Sequence, residues 1–207
     1  MTLATAIAQP EGFCLDPGEV LLLQGSWEVF LTIEALCDSI SPRHRVSFLN
    51  GTIEIMARPS GEHERSKTNI VRLVEQYFLS EDITFDANGE IRLKVLEQAG
   101  SEPDECYYIN RIGNDDGTEF PDIVLEVKVT SGGLDRLDVW AAFSIPEVWI
   151  HEKERLRIFL LEGSTYREAP SSRLVPHLPI ADVEELCQIR PTSSAIRELL
   201  KRIGSSS

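Results

Sequence analysis

Residues 121–130 read Pro121-Asp122-Ile123-Val124-Leu125-Glu126-Val127-Lys128-Val129-Thr130. The Val, Ile and Leu content predicts a strand in the centre of a sheet. Alternate side chains on a strand share a face, so Asp122, Val124, Glu126 and Lys128 project one way and Ile123, Leu125, Val127 and Val129 the other. Glu126 and Lys128 are therefore charges standing out of an apolar segment, and burying them is costly unless they are paired or bound to a metal. Read functionally, Glu126 binds a hard divalent cation and Lys128 orients or helps deprotonate an attacking water. Read structurally, they form a buried Glu–Lys pair, or the strand end reaches solvent.

A cation at Glu126 needs a second carboxylate close by. Pro103-Asp104 opens a strand-like run to Ile109, and the turn-rich Gly113-Asn114-Asp115-Asp116-Gly117 separates that run from 122–130. The two runs are expected to pair, which makes Asp104 the second ligand. Asp122 lies roughly 13 Å from Glu126 at ~3.3 Å per strand residue, too far to share one ion, so it shapes the strand entrance and is held in reserve.

Working outward, Ser26 caps a first helix that runs through Trp27, Phe30, Leu31, Cys37 and Ile40 to a stop at Pro42. Val46–Leu49 and Ile53–Met56, joined by Asn50-Gly51, form a β-hairpin. Residues 62–79 form a second helix whose apolar stripe is Ile70, Leu73, Val74, Tyr77 and Phe78, with His63 on the same face. Short strands are expected near 83–86 and 90–95, a helix over 134–142, a strand from Pro146 to His151, a hairpin of 156–161 and 164–168, and a final helix over 195–203. This order predicts an α/β protein with a mixed sheet flanked by helices: an irregular arm over residues 1–19, then one domain over 20–207.

The chain has 207 residues and a formal net charge of −14. That charge repels phosphate backbones at long range, so a polyanion partner would need a local basic groove. Arg58, Arg65, Lys67 and Arg72 outnumber Glu62 and Glu64 and form one modest basic patch. Cys14, Cys37, Cys106 and Cys187 show no C-x-x-C pair and read as reduced thiols. With no secretory signal and no membrane-length apolar run, a cytoplasmic protein is expected. The absence of G-x-S-x-G, a lysine-bearing phosphate loop and H-E-x-x-H disfavours serine hydrolases, nucleoside triphosphatases and zinc proteases.

Pro103-Asp104 followed by Glu126-Val127-Lys128 resembles the signature of the restriction-endonuclease-like PD-(D/E)xK nucleases. From about Val20 to Leu186 the chain is similar, more specifically, to the Uma-type restriction-endonuclease family. The likeness runs through Val46–Met56, Pro59-Ser60-Gly61-Glu62-His63, Glu102-Pro103-Asp104-Glu105-Cys106-Tyr107, Pro121–Glu126 and Ile145-Pro146-Glu147-Val148-Trp149. It implies a restriction-endonuclease-like core in which Asp104, Glu126 and the Val127 carbonyl bind Mg2+ or Mn2+, with Lys128 beside the attacking water. Members lacking that lysine use one from the following helix; this chain has none between Leu134 and Ser144, which favours Lys128. Glu62 matches a position where such nucleases hold a further acid, although a helix N-terminal carboxylate explains it equally. His63 fits the family pattern, and also fits a core histidine. Trp140, Trp149, Tyr107 and Tyr108 read as core.

The expected activity is endonucleolytic hydrolysis of nucleic acid, DNA before RNA, by a protein without membrane contact and, by resemblance, a homodimer. A catalytically silent nuclease-like fold serving as a binding module is the alternative, and the net charge also suits a small phosphodiester substrate.

Overall fold

The computed structural model describes residues 15–16, 18–40, 44–57, 61–89, 91–114, 116–128 and 133–205, apart from the side chains of Ile40 and Glu62. Most of the expected N-terminal arm, with Cys14, Arg58 and the end of the 122–130 strand, lies outside these residues.

The architecture is mixed α/β, as expected, but the strands divide between two sheets. The smaller sheet has the order β1-β3-β2-β6-β5, from β1 (Val20–Gln24), β2 (His44–Leu49), β3 (Thr52–Ala57), β5 (Leu93–Val95) and β6 (Ala99–Ser101). Its hairpin turns where expected, with φ of 46° at Asn50 and 88° at Gly51, the left-handed pair that a tight β2–β3 connection requires. Val46, Phe48, Ile53 and Ile55 face α1 (Trp27–Ile40) and bury Trp27 and Phe30. Alternation then forces Arg45, Ser47 and Glu54 onto the opposite face, with Ser47 directly across from Glu54.

The larger sheet has the order β11-β10-β9-β8-β7-β4, from β4 (Phe85–Ala87), β7 (Glu105–Ile109), β8 (Ile123–Lys128), β9 (Glu147–Glu152), β10 (Arg155–Glu162) and β11 (Thr165–Ala169). β7 pairs antiparallel with β8, as the sequence predicts, and β8 pairs parallel with β9 across α3 (Arg136–Ala142). Ile123, Leu125 and Val127 pack with α2 (Gly61–Ser80), α4 (Ile180–Leu186) and α5 (Thr192–Ser205). Val124 joins Val139, Trp140 and Phe143 on the other side. Both faces of β8 are therefore covered, which explains its near-continuous apolar reading.

Three features escape the sequence reading or extend it. β1 and β6 show no polar–apolar alternation. α4 is only seven residues long and opens at Pro179, which makes no side-chain cap. The three-residue β5 and β6 are held by register with each other and with β2 rather than by propensity. No helix among the described residues is long and apolar enough to cross a membrane.

Candidate active site

The seam between the two sheets collects the charges that the apolar elements expel. Continuing the β7–β8 register by one residue beyond Glu105–Leu125 sets Asp104 opposite Glu126. Asp104 and Glu126 are 2% and 5% exposed, so the two acids expected to act together are both buried at the same strand ends.

Asp104 is held on each oxygen. Oδ1 accepts from Arg45 Nη2 at 3.0 Å, and Oδ2 accepts from the Val127 amide at 2.7 Å. His63 Nε2 lies 3.6 Å from the same Oδ2. Burial alone would raise the Asp104 pKa, but the Arg45 charge, then His63 and the Val127 amide, hold the carboxyl well below the usual carboxylate range.

Glu126 goes the other way. Burial, then the adjacent Asp104 charge, push its pKa up to about 7, and Arg136, Arg45 and the Trp140 hydrogen bond only partly offset this. Trp140 Nε1 donates to Glu126 Oε1 at 2.9 Å and fixes the carboxyl against α3. Trp140 is thus core, as expected, and also orients a site residue.

His63, buried on the α2 stripe, belongs to the same cluster. Its Nε2 lies 2.7 Å from the Val127 carbonyl. A carbonyl can only accept, so Nε2 carries the proton and Nδ1 is the remaining acceptor. Burial opposes a charged imidazole, yet Asp104 and the Val127 carbonyl raise its pKa above the ordinary value. Val127 is thereby engaged through both its amide and its carbonyl.

Lys128 ends β8 on the Glu126 face, with an exposed side chain. Among the described residues it makes no ion pair with Asp104 or Glu126, so the structural reading of a buried Glu–Lys pair is set aside and the strand end reaches solvent. Glu62 lies in the first turn of α2, and its side chain is outside the described residues. Asp122 is a strand-entrance residue: Oδ2 accepts from the Ile109 amide at 2.8 Å and from Arg111 Nε at 3.0 Å.

Arg45, Glu54 and Arg136 were not singled out in the sequence. Arg136, in the first turn of α3, reaches Glu54 Oε1 with Nη2 and directs Nη1 to Ser47 Oγ at 3.3 Å and Ser101 Oγ at 3.5 Å. Glu54 Oε2 accepts from the Leu134 amide at 2.6 Å. The small sheet is thus clamped to the loop that follows β8. The polar faces of Arg45, Ser47 and Glu54 within a hairpin whose other face is apolar were the available signal.

The oxygen donors at the seam suit a hard divalent cation. A positive group already lies against Asp104, the Arg45 guanidinium, whose charge interacts with Asp104 first and then with Glu126 and Glu102. This stand-in is a positive charge held on one of the two acids, and by that test the residues fit Mg2+ or Mn2+. Among the described residues no group of three or more His, Cys, Asp or Glu side chains could hold an ion by itself. Asp104, Glu126 and the Val127 carbonyl are the donors at hand.

The family model Uma2, described as "Putative restriction endonuclease", matches residues 27–188. Among solved structures, a protein from Anabaena variabilis described as a "putative nuclease belonging to DUF820" is 15% identical with a TM-score of 0.44, covering 61% of this chain and 78% of that one. No curated protein matches the chain.

Proposed function

We propose, for a chain that belongs to the Uma2 family, divalent-cation-dependent hydrolysis of phosphodiester bonds in nucleic acid, with DNA as the preferred substrate. The observation that carries this reading is the burial of Asp104 and Glu126 at neighbouring strand ends, with a guanidinium held on Asp104.

Asp104, Glu126 and the Val127 carbonyl would hold Mg2+ or Mn2+, with Glu62 a further donor from α2. Such an ion supplies charge neutralisation at the reacting phosphate and a lowered pKa for water. The protein's own groups do the rest. Trp140 fixes the Glu126 rotamer, and the Val127 amide fixes that of Asp104. His63 ties α2 to the end of β8. Lys128, exposed on the Glu126 face, would orient water or meet a phosphate oxygen.

The test is incubation of purified protein with supercoiled and single-stranded DNA in Mn2+, beside Asp104→Asn and Glu126→Ala. Wild type should cleave, chelation should stop it, and each variant should lose at least a hundredfold in rate. Intact DNA in every arm, with no heat on Mn2+ titration, would instead favour the silent binding module. The net charge of −14 favours one other reading, a small phosphodiester, which bis-p-nitrophenyl phosphate would report in the same assay.

A further inference from the structure

We propose that Arg45 is a built-in counter-ion of the Asp104–Glu126 pair, which a divalent cation must displace in order to bind, so that cation affinity is set by competition with this guanidinium. The inference deepens the reading above and rests on it.

The geometry makes the competition direct. Arg45 Nη2 is 3.0 Å from Asp104 Oδ1, while Oδ2 is taken by the Val127 amide at 2.7 Å. A divalent ion takes its carboxylate oxygens at ~2.1 Å, which would leave it within about 5 Å of that nitrogen if Arg45 stayed in place. Two cations so close in a site shielded from water repel strongly. Asp104 cannot rotate away from the guanidinium without breaking the Val127 hydrogen bond. Arg45 can move: its side chain retains 18% exposure against 3% for Asp104. It is the second residue of β2, beside the strand's start at His44. The guanidinium also has a second acidic neighbour in Glu102, so leaving Asp104 does not strand it among apolar groups.

Without a cation, the buried Asp104 charge is then neutralised from within the fold. Displacement releases a planar, always-charged donor fork beside the ion, suited to a phosphate group.

The experiment is calorimetric titration of the full chain with Mn2+, comparing wild type, Arg45→Gln and Arg45→Lys, each first shown by thermal melting to unfold cooperatively. The proposal expects Arg45→Gln to bind Mn2+ at least tenfold more tightly than wild type, and Arg45→Lys to fall between. Binding by Arg45→Gln alone would support it in its strongest form. Equal or weaker binding by a folded Arg45→Gln, with wild type binding normally, overturns it and leaves the proposed function standing. No binding by any of the three overturns both. Should the variants fail to fold, the Arg45 Nε–H signal of 15N-labelled wild type titrated with Mg2+ decides: a shift to the position of a free arginine supports displacement, and an unmoved signal in the presence of bound Mg2+ refutes it.

Discussion

Glu126 is a carboxylic acid whose folded state holds its proton more tightly than the unfolded chain does, the reverse of a salt-bridged acid. Its pKa rises from an ordinary 4.5 to about 7 through burial and the Asp104 charge. The folded protein therefore binds more protons than the unfolded chain between these values. Glu126 contributes its full stabilisation below about 4.5 and loses it as pH climbs through 7. His63, also raised, acts in the same direction at the upper end of this range. Asp104 opposes them only in acid, where protonating it forfeits the Arg45 pair. Urea denaturation of wild type beside Glu126→Gln, from pH 5 to pH 8, should show wild type losing on the order of 2–3 kcal/mol relative to the variant. A pH-independent difference would place the Glu126 carboxyl in a wetter setting than the one described. Glu126 could be named from the sequence because a charge inside an apolar strand is conspicuous by local spacing alone, and Asp104 because it opens the run expected to pair with that strand. The polar face of the hairpin marks Arg45, but the partners of Arg45 and Arg136 could not be read, because a guanidinium acquires its partner only when β2 and α3 are brought to the strand ends, and no spacing along the chain encodes that meeting.

The loop from β8 to α3 turns at Gly133, where φ is +89° and an added Cβ would collide with the Glu54 carboxylate. Left-handed backbone costs a non-glycine residue ~1–2 kcal/mol, and here the obstructing carboxylate is itself held by the Leu134 amide and Arg136. Gly133→Ala should accordingly lower the urea midpoint by an amount equivalent to about 2–4 kcal/mol, combining backbone strain with a disturbed buried pair. Asp122→Ala offers a contrast at the other end of β8. It removes the acceptor for the Ile109 amide and Arg111, so it should cost about 1–3 kcal/mol while leaving Mn2+ affinity within twofold of wild type. The elements that could be read from the sequence were those with periodicity or punctuation of their own: the Asn50-Gly51 hairpin, the α2 stripe and the apolar β8. Ala99–Ser101 and Val20–Gln24 become strands because β2 and β3 offer them ladders, which is a tertiary property.

Across the whole molecule, acidic residues outnumber basic ones by 14, while Arg65 and Arg72 are exposed on α2, the helix that carries His63, with Lys67 half-buried between them. About three phosphate contacts of this kind predict a shallow dependence of DNA affinity on salt, with a slope of log Kobs against log salt near −3. Fluorescence anisotropy with a labelled duplex, using the Glu126→Ala variant so that the DNA survives, measures it. A slope near −8 would reveal a basic groove elsewhere on the surface.

The division of the charges between the sheets restricts how this protein can be recombined. The acids come from β8 and the residue before β7, whereas one neutralising guanidinium comes from β2, and the anchor for the other is Glu54 on β3. A chimaera with its crossover between β3 and α2 would join a foreign hairpin to native acids. Even a donor hairpin with a perfect apolar face for α1 would leave Asp104 and Arg136 buried opposite the wrong partners. The hairpin and the larger sheet must therefore be inherited together.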